Sequence, residues 1–164
     1  MDGRTRKIVL GLGNTLNTDE GLGVHSMQLL QNHLGGRADV EFLDGGTLGL
    51  NLLPVVEESS HLLLLDAVNA GQPPGTVVEI RGGDIPLFTG IKLSEHQLTF
   101  QEVLGLAYVR DRFPQHLHLV GVQPDDLSIG IGLSETVQRS IPELLGRAET
   151  VLRAWGMFSN DHRG

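Results

Sequence analysis

Glu20, Asp44, Asp66 and His96 carry groups that bind metals or move protons, and each stands where an apolar run hands over to a loop or a helix. Asp66 closes the run His61-Leu62-Leu63-Leu64-Leu65. A carboxylate at the edge of so apolar a strand costs free energy unless it is paired, solvated in a cleft or bound to a metal. Glu20 follows Asp19 in the segment GLGNTLNTDEG, residues 11–21, at the start of a helical pattern. Open α/β sheets take their ligands in the crevice at the carboxyl ends of their strands, where a carboxylate in this segment can point. His96 lies in Ser94-Glu95-His96-Gln97, a capping-box pattern that puts it near the second position of a helix. The helix dipole there disfavours the imidazolium and leaves a ring lone pair for a metal. Two carboxylates and one imidazole from three segments would form a hard-to-borderline divalent site with positions left for water or substrate.

Each of these residues also has a plainer role open to it. Asp19 and Glu20 serve equally as negative charge in the first helical turn, Asp66 as a partner for the following loop, and His96 as a surface residue. His33, His61, His116, His118 and His162 are expected at surfaces or edges; His116-x-His118 has a loose metal-like spacing but lacks an acidic neighbour in the sequence. Gly11-x-Gly13 after a strand invites a dinucleotide reading, with Asp44 in a ribose-binding position. The third glycine of that fingerprint is missing, since position 16 is Leu. No Gly-Lys-Ser/Thr, HExxH or G-x-S-x-G occurs, and the absence of cysteine removes thiolate nucleophiles and thiolate metal sites together.

The elements that position these groups follow from apolar periodicity. Residues 7–13 read as a buried strand and 19–34 as a helix capped by Thr18, with Leu22, Met27, Leu29, Leu30 and Leu34 near one face. Strands are expected at 40–43, 61–66, 76–81 and 117–122, a short helix around 48–58, and a loop over 82–93. A helix over about 95–110 and a helical tail over 134–155 complete the order, the tail restarting at Pro142 under a Ser140–Glu143 cap. Strands alternating with helices predict an α/β protein, a single three-layer α/β/α sandwich around a twisted, mostly parallel sheet. One domain is expected over 1–164, with a core of about 7–155 and short flexible termini.

Composition narrows the classes of function. Forty per cent of residues are apolar and 20% charged, which is ordinary for a folded domain. The net charge of −8 argues against nucleic acid as a partner. The start, MDGRTRKIVLGLGN, is basic, but its apolar run is short and broken by Gly11 and Gly13. No apolar run reaches the ~18 residues of a membrane span. The reading is of a cytoplasmic protein without a membrane partner; its oligomeric state is left open, and a monomer is compatible with the pattern.

Taken together, these segments resemble the hydrogenase maturation endopeptidases, which trim the C-terminal extension from the large subunit of nickel–iron hydrogenases. The resemblance rests on GLGNTLNTDEGLG at 11–23, Asp44-Gly45-Gly46, Asp66-Ala67, Pro74-Gly75-Thr76, Ser94-Glu95-His96-Gln97-Leu98 and Gly121-Val122-Gln123-Pro124, in that order over 7–155. It implies an α/β/α sandwich with Glu20, Asp66 and His96 as nickel-binding residues and Asp44 as a further acidic residue linked to activity. It also implies that nickel arrives with the large-subunit precursor rather than as a resident cofactor. Asp44, or one of the ligand carboxylates Glu20 and Asp66, would then assist attack by water as general base. His25 departs from the family pattern, standing where many members have Arg. Three other readings remain: a nickel-dependent checkpoint or chaperone without proteolysis, a nucleotide-binding α/β enzyme, and a hydrolase with a resident metal.

Overall fold

Strand β1, Arg6–Leu12, is buried from Ile8 onward on both faces, as its unbroken apolar run requires. The structure, a computed structural model, describes residues 3–46, 49–85, 92–93 and 97–158, the side chains of 92–93 and 97–99 aside. After β1 a 3-10 turn at Thr18–Gly21 leads into helix α1, Leu22–Leu34. Strand β2, Glu41–Gly46, is followed by a 3-10 turn at Gly49–Leu52 and helix α2, Leu53–Glu58. Then come β3, Ser59–Asn69, β4, Val77–Arg81, and the two-residue β5, Lys92–Leu93. Helix α3, Gln97–Val109, strand β6, His116–Val122, and helices α4, Glu135–Gln138, and α5, Ile141–Ala154, complete the order.

The strands lie in the order β2-β1-β3-β6-β4, with β5 paired to the end of β3. β1 is parallel to both β2 and β3, and β3 is parallel to β6, while β4 runs antiparallel along β6 at the edge. The chain leaves β1 for β2 on one side and returns to β3 on the other, so the strand order reverses between β1 and β3. In doubly wound sheets such a switch point opens a crevice at the carboxyl ends of the strands.

Alternation along the strands divides the core in two. Val9, Leu63, Leu65, Ala67, Val120 and Val122 pack with α1 and α5, through Leu22, Met27, Leu30, Leu144, Ala148 and Leu152. Ile8, Leu10, Leu62, Leu64, Leu117 and Leu119 pack on the other face with Val56 of α2 and Phe100, Val103 and Leu104 of α3. The expected three-layer α/β/α sandwich is the observed one, with the mixed edge supplied by β4.

Three local expectations are corrected. The helix does not begin at residue 19 under a Thr18 cap: residues 18–21 form a 3-10 turn, and Thr18 Oγ1 instead donates to the Ser128 carbonyl at 2.7 Å. Ser140 does not cap α5 through its side chain, because its hydroxyl donates to the carbonyl of Gly75. Asp66 is not the end of its strand, since β3 continues to Asn69, where Val68 and Asn69 pair with β5. Pro142 does open a separate helix at its first turn, as its missing N–H allows.

Candidate functional site

Gly13 lies at the switch point with φ of +127° and its N–H bonded to the Gly46 carbonyl at 3.0 Å. A Cβ there would fall 1.9 Å from the Glu20 carbonyl oxygen and 3.7 Å from Asp66 Oδ1. Gly13 is therefore the point at which the 3-10 turn bearing Glu20 folds down onto the sheet beside the Asp66 carboxylate. Helix α1 reaches the same place because Gly23 lacks a side chain: a Cβ there would lie 2.1 Å from the Leu65 carbonyl and 2.2 Å from that of Leu12. The close approach of backbone to backbone brings the start of α1 over the ends of β1 and β3.

Two of the expected ligands thus lie on adjoining segments, the turn that carries Glu20 folding over Gly13 beside Asp66 of β3. Asp66 is fully buried and accepts the Ala67 N–H at 2.8 Å through Oδ1. Glu20 is 6% exposed, with its N–H on the Asn17 carbonyl at 3.0 Å. His96 lies outside the described residues, immediately before α3. Among the described residues no group of three His, Asp or Glu side chains makes a metal cluster.

Asp44 stands on the neighbouring strand, exposed, in register with Gly11. Phe42 packs toward α1 and Leu43 toward α2 and α3, so alternation puts Asp44 on the α1 face. Leu65 faces α1 in the same way, which puts Asp66 on the opposite face. The two carboxylates share the carboxyl rim of the sheet but not a side of it.

Asp19 is the residue whose role sequence reasoning missed. It is fully buried, and its carboxylate accepts four hydrogen bonds. Oδ2 takes the N–H groups of Asp125 and Asp126, both at 2.9 Å, and the Ser134 hydroxyl at 2.7 Å. Oδ1 takes the Ser134 N–H at 2.7 Å. Four donors satisfy the buried carboxylate and tie the turn that carries Glu20 to the loop after β6. Gln123 does similar work for the loop after β3, accepting the N–H groups of Ala70 at 2.8 Å and Gln72 at 3.2 Å. Its place in the Gly-Val-Gln-Pro motif was the available signal.

A second cluster occupies the opposite end of the sheet. His61 and His116 pair across β3 and β6 and stack with centroids 4.3 Å apart, with Trp155 edge-on to His61 at 5.2 Å. Burial, then the charges of His116 and Lys7, push the His61 pKa down to about 4. His118 does have an acidic neighbour, contrary to the sequence reading, because β4 folds back antiparallel and brings Glu79 Oε2 to 2.8 Å from its Nε2. A cleft of about 740 Å³ opens at this end, and it contains none of the expected site residues.

The dinucleotide reading fails on geometry. A diphosphate needs the space above the second glycine of the turn, and here the Glu20 carbonyl fills it.

Similarity to known proteins agrees with this arrangement. A family model described as hydrogenase maturation protease matches residues 24–151. The hydrogenase expression/formation protein HupD of Rhodobacter capsulatus is 42% identical over 154 residues, 93% of this chain and 73% of its own length. The hydrogenase 2 maturation protease of Escherichia coli K12 is 39% identical over 153 residues, 93% of each chain. Among solved structures, the hydrogenase maturating endopeptidase HybD from E. coli superposes with a TM-score of 0.83 at 38% identity, covering 96% of this chain and 99% of that one. The chain belongs to the hydrogenase maturation protease family, and it is a hydrolase.

Proposed function

We propose that this protein removes the C-terminal extension of a nickel–iron hydrogenase large-subunit precursor after nickel insertion, and that it does so in the cytoplasm. The observation that supports the reading most is the closeness of two low-exposure acidic residues: the backbone of the Glu20 turn folds over Gly13 beside the Asp66 carboxylate at the switch point. An anion with little water around it gains more from a divalent cation than an exposed one does. Glu20, Asp66 and His96 would hold the nickel that the precursor carries in, so the ion is part of the substrate and marks it as loaded. Asp44, exposed on the same rim but on the other side of the sheet from Asp66, would take the proton of an attacking water. Among the described residues no helix is long and apolar enough to cross a membrane.

The test is the mass of a cognate precursor after incubation with the protein, with and without nickel. Loss of a C-terminal peptide from the loaded precursor alone is the expected result. Equal cleavage of both forms would remove nickel recognition from the scheme. Binding of the loaded form with no change in mass would put the non-proteolytic checkpoint in its place.

A further inference from the structure

The loop after β6 turns large apolar side chains into solvent. Ile129 is 89% exposed and Ile131 87%, beside Leu127 at 44% and, on the loop after β1, Leu16 at 59%. Floppiness does not account for this, because the segment is held along its length. Thr18 donates its N–H to Gly130 at 2.9 Å, and Gly130 returns its N–H to Leu16 at 2.9 Å. Asn17 Nδ2 donates to the Leu127 carbonyl at 3.3 Å, and the Asp19 carboxylate anchors both ends of the loop at residues 125, 126 and 134. Asn17 and Gly130 form a parallel bridge, so Leu16 shares the side of Ile129 and Ile131. Large apolar groups fixed in water mark an interaction surface.

Position and charge identify the occupant. The patch is tied to the turn that carries Glu20 through Thr18 and the Asp19 anchor, and Glu20 is the next residue along that turn. Asp125, Asp126 and Glu135 stand exposed around it. Ser128, through its hydroxyl at 2.6 Å and its N–H at 2.9 Å, holds the Asp126 carboxyl below the ordinary range and so anionic. A second copy of this chain would bring the same acidic rim against itself, on a molecule of net charge −8. We propose that Leu16, Leu127, Ile129 and Ile131 form a docking ledge for an apolar segment of the precursor flanked by basic residues, seated beside the Glu20–Asp66 crevice. The inference rests on the peptidase reading above and names how its protein substrate is gripped.

The experiment compares the wild type with Ile129→Ser/Ile131→Ser. It follows cleavage of nickel-loaded precursor, precursor binding by biolayer interferometry, and sedimentation of the protein alone. The expected result is a rise in KM and in Kd of about tenfold or more, with kcat within about twofold and the melting temperature unchanged. Asp125→Asn should raise KM a few-fold and flatten its dependence on salt. Unchanged KM and Kd in the double variant overturn the ledge while leaving the peptidase reading intact. A wild-type dimer that the double variant dissolves also overturns it, since the occupant is then a second copy. Precursor that binds through the isoleucines but is never cut upholds the ledge and sinks the peptidase reading.

Discussion

The Asp19 carboxylate holds Ser134 twice, by its N–H and by its hydroxyl, each at 2.7 Å, across 115 positions of chain. Replacing it by Asn keeps one acceptor for the Oδ2 site and puts an amide donor at the Oδ1 site, facing the Ser134 N–H. Asp19→Asn should therefore lose about 2–4 kcal/mol of stability. Thermal unfolding should shift down by roughly 5–15 °C. Hydrogen exchange should show faster amides over 125–134 than over β3, whereas uniform acceleration would mean that the bonds do not act locally.

Gly13→Ala tests the contact beneath Glu20. The new methyl carbon would sit 1.9 Å from the Glu20 carbonyl oxygen at a backbone φ of +127°, so the 3-10 turn must lift or the protein must unfold. We expect a loss of roughly 3 kcal/mol or more. Cleavage should fall in step with displacement of Glu20. Gly36→Ala is the matched control, since a Cβ there meets nothing within 4 Å. Its stability should stay within about 0.5 kcal/mol of wild type.

Asp44 and Asp66 face opposite sides of the sheet, which separates their expected phenotypes. Asp44→Asn should lower kcat by about 100-fold or more if Asp44 is the general base, with precursor affinity kept. Asp66→Asn and Glu20→Gln should instead weaken binding of the nickel-loaded precursor and abolish its advantage over the unloaded form. Calorimetric titration with both precursor forms distinguishes the two patterns, and equal loss in all three variants would show that they act as one unit.

Acid should weaken the fold through His61. Its pKa is pushed down to about 4 in the folded protein from an ordinary 6.5, by burial first and the charges of His116 and Lys7 after. Between those values the unfolded chain binds the proton and the folded one does not, so stability rises with pH. The contribution is complete above about pH 6.5 and drains away as pH falls toward 4. At this half-buried ring it is of order 1–2 kcal/mol. Urea unfolding at pH 7 and pH 5 should show a smaller difference for His61→Gln than for wild type.

The sandwich and the site's framework were legible because they are local. β1, β3 and β6 announced themselves as apolar runs, and the glycines of GLG stood where a turn had to be tight. Glu20 was singled out by its place at the start of a helical pattern, and Asp66 by closing an apolar run. Asp19 was not, because its partners lie 106 to 115 residues away and nothing in its neighbours signals them. The run past Asp66 to Asn69 was missed for a related reason: the strand is prolonged by β5, a pairing made across 24 residues or so of intervening chain. Glu79 likewise reaches His118 only because β4 lies antiparallel. The alternation in LSIGIGL at 127–133 was readable as a one-sided apolar strip, but only its hydrogen bonds reveal that the strip is held outward.

Trp155 is the one tryptophan of the chain, and it packs edge-on against His61. His61 and Asp66 lie five positions apart on β3, about 16 Å along the strand. Its emission is consequently a built-in optical gauge of the histidine stack, dimmed when an imidazolium forms beside the indole and indifferent to what occupies the carboxylate end. Fluorescence of the protein can thus track its unfolding or acidification without a label.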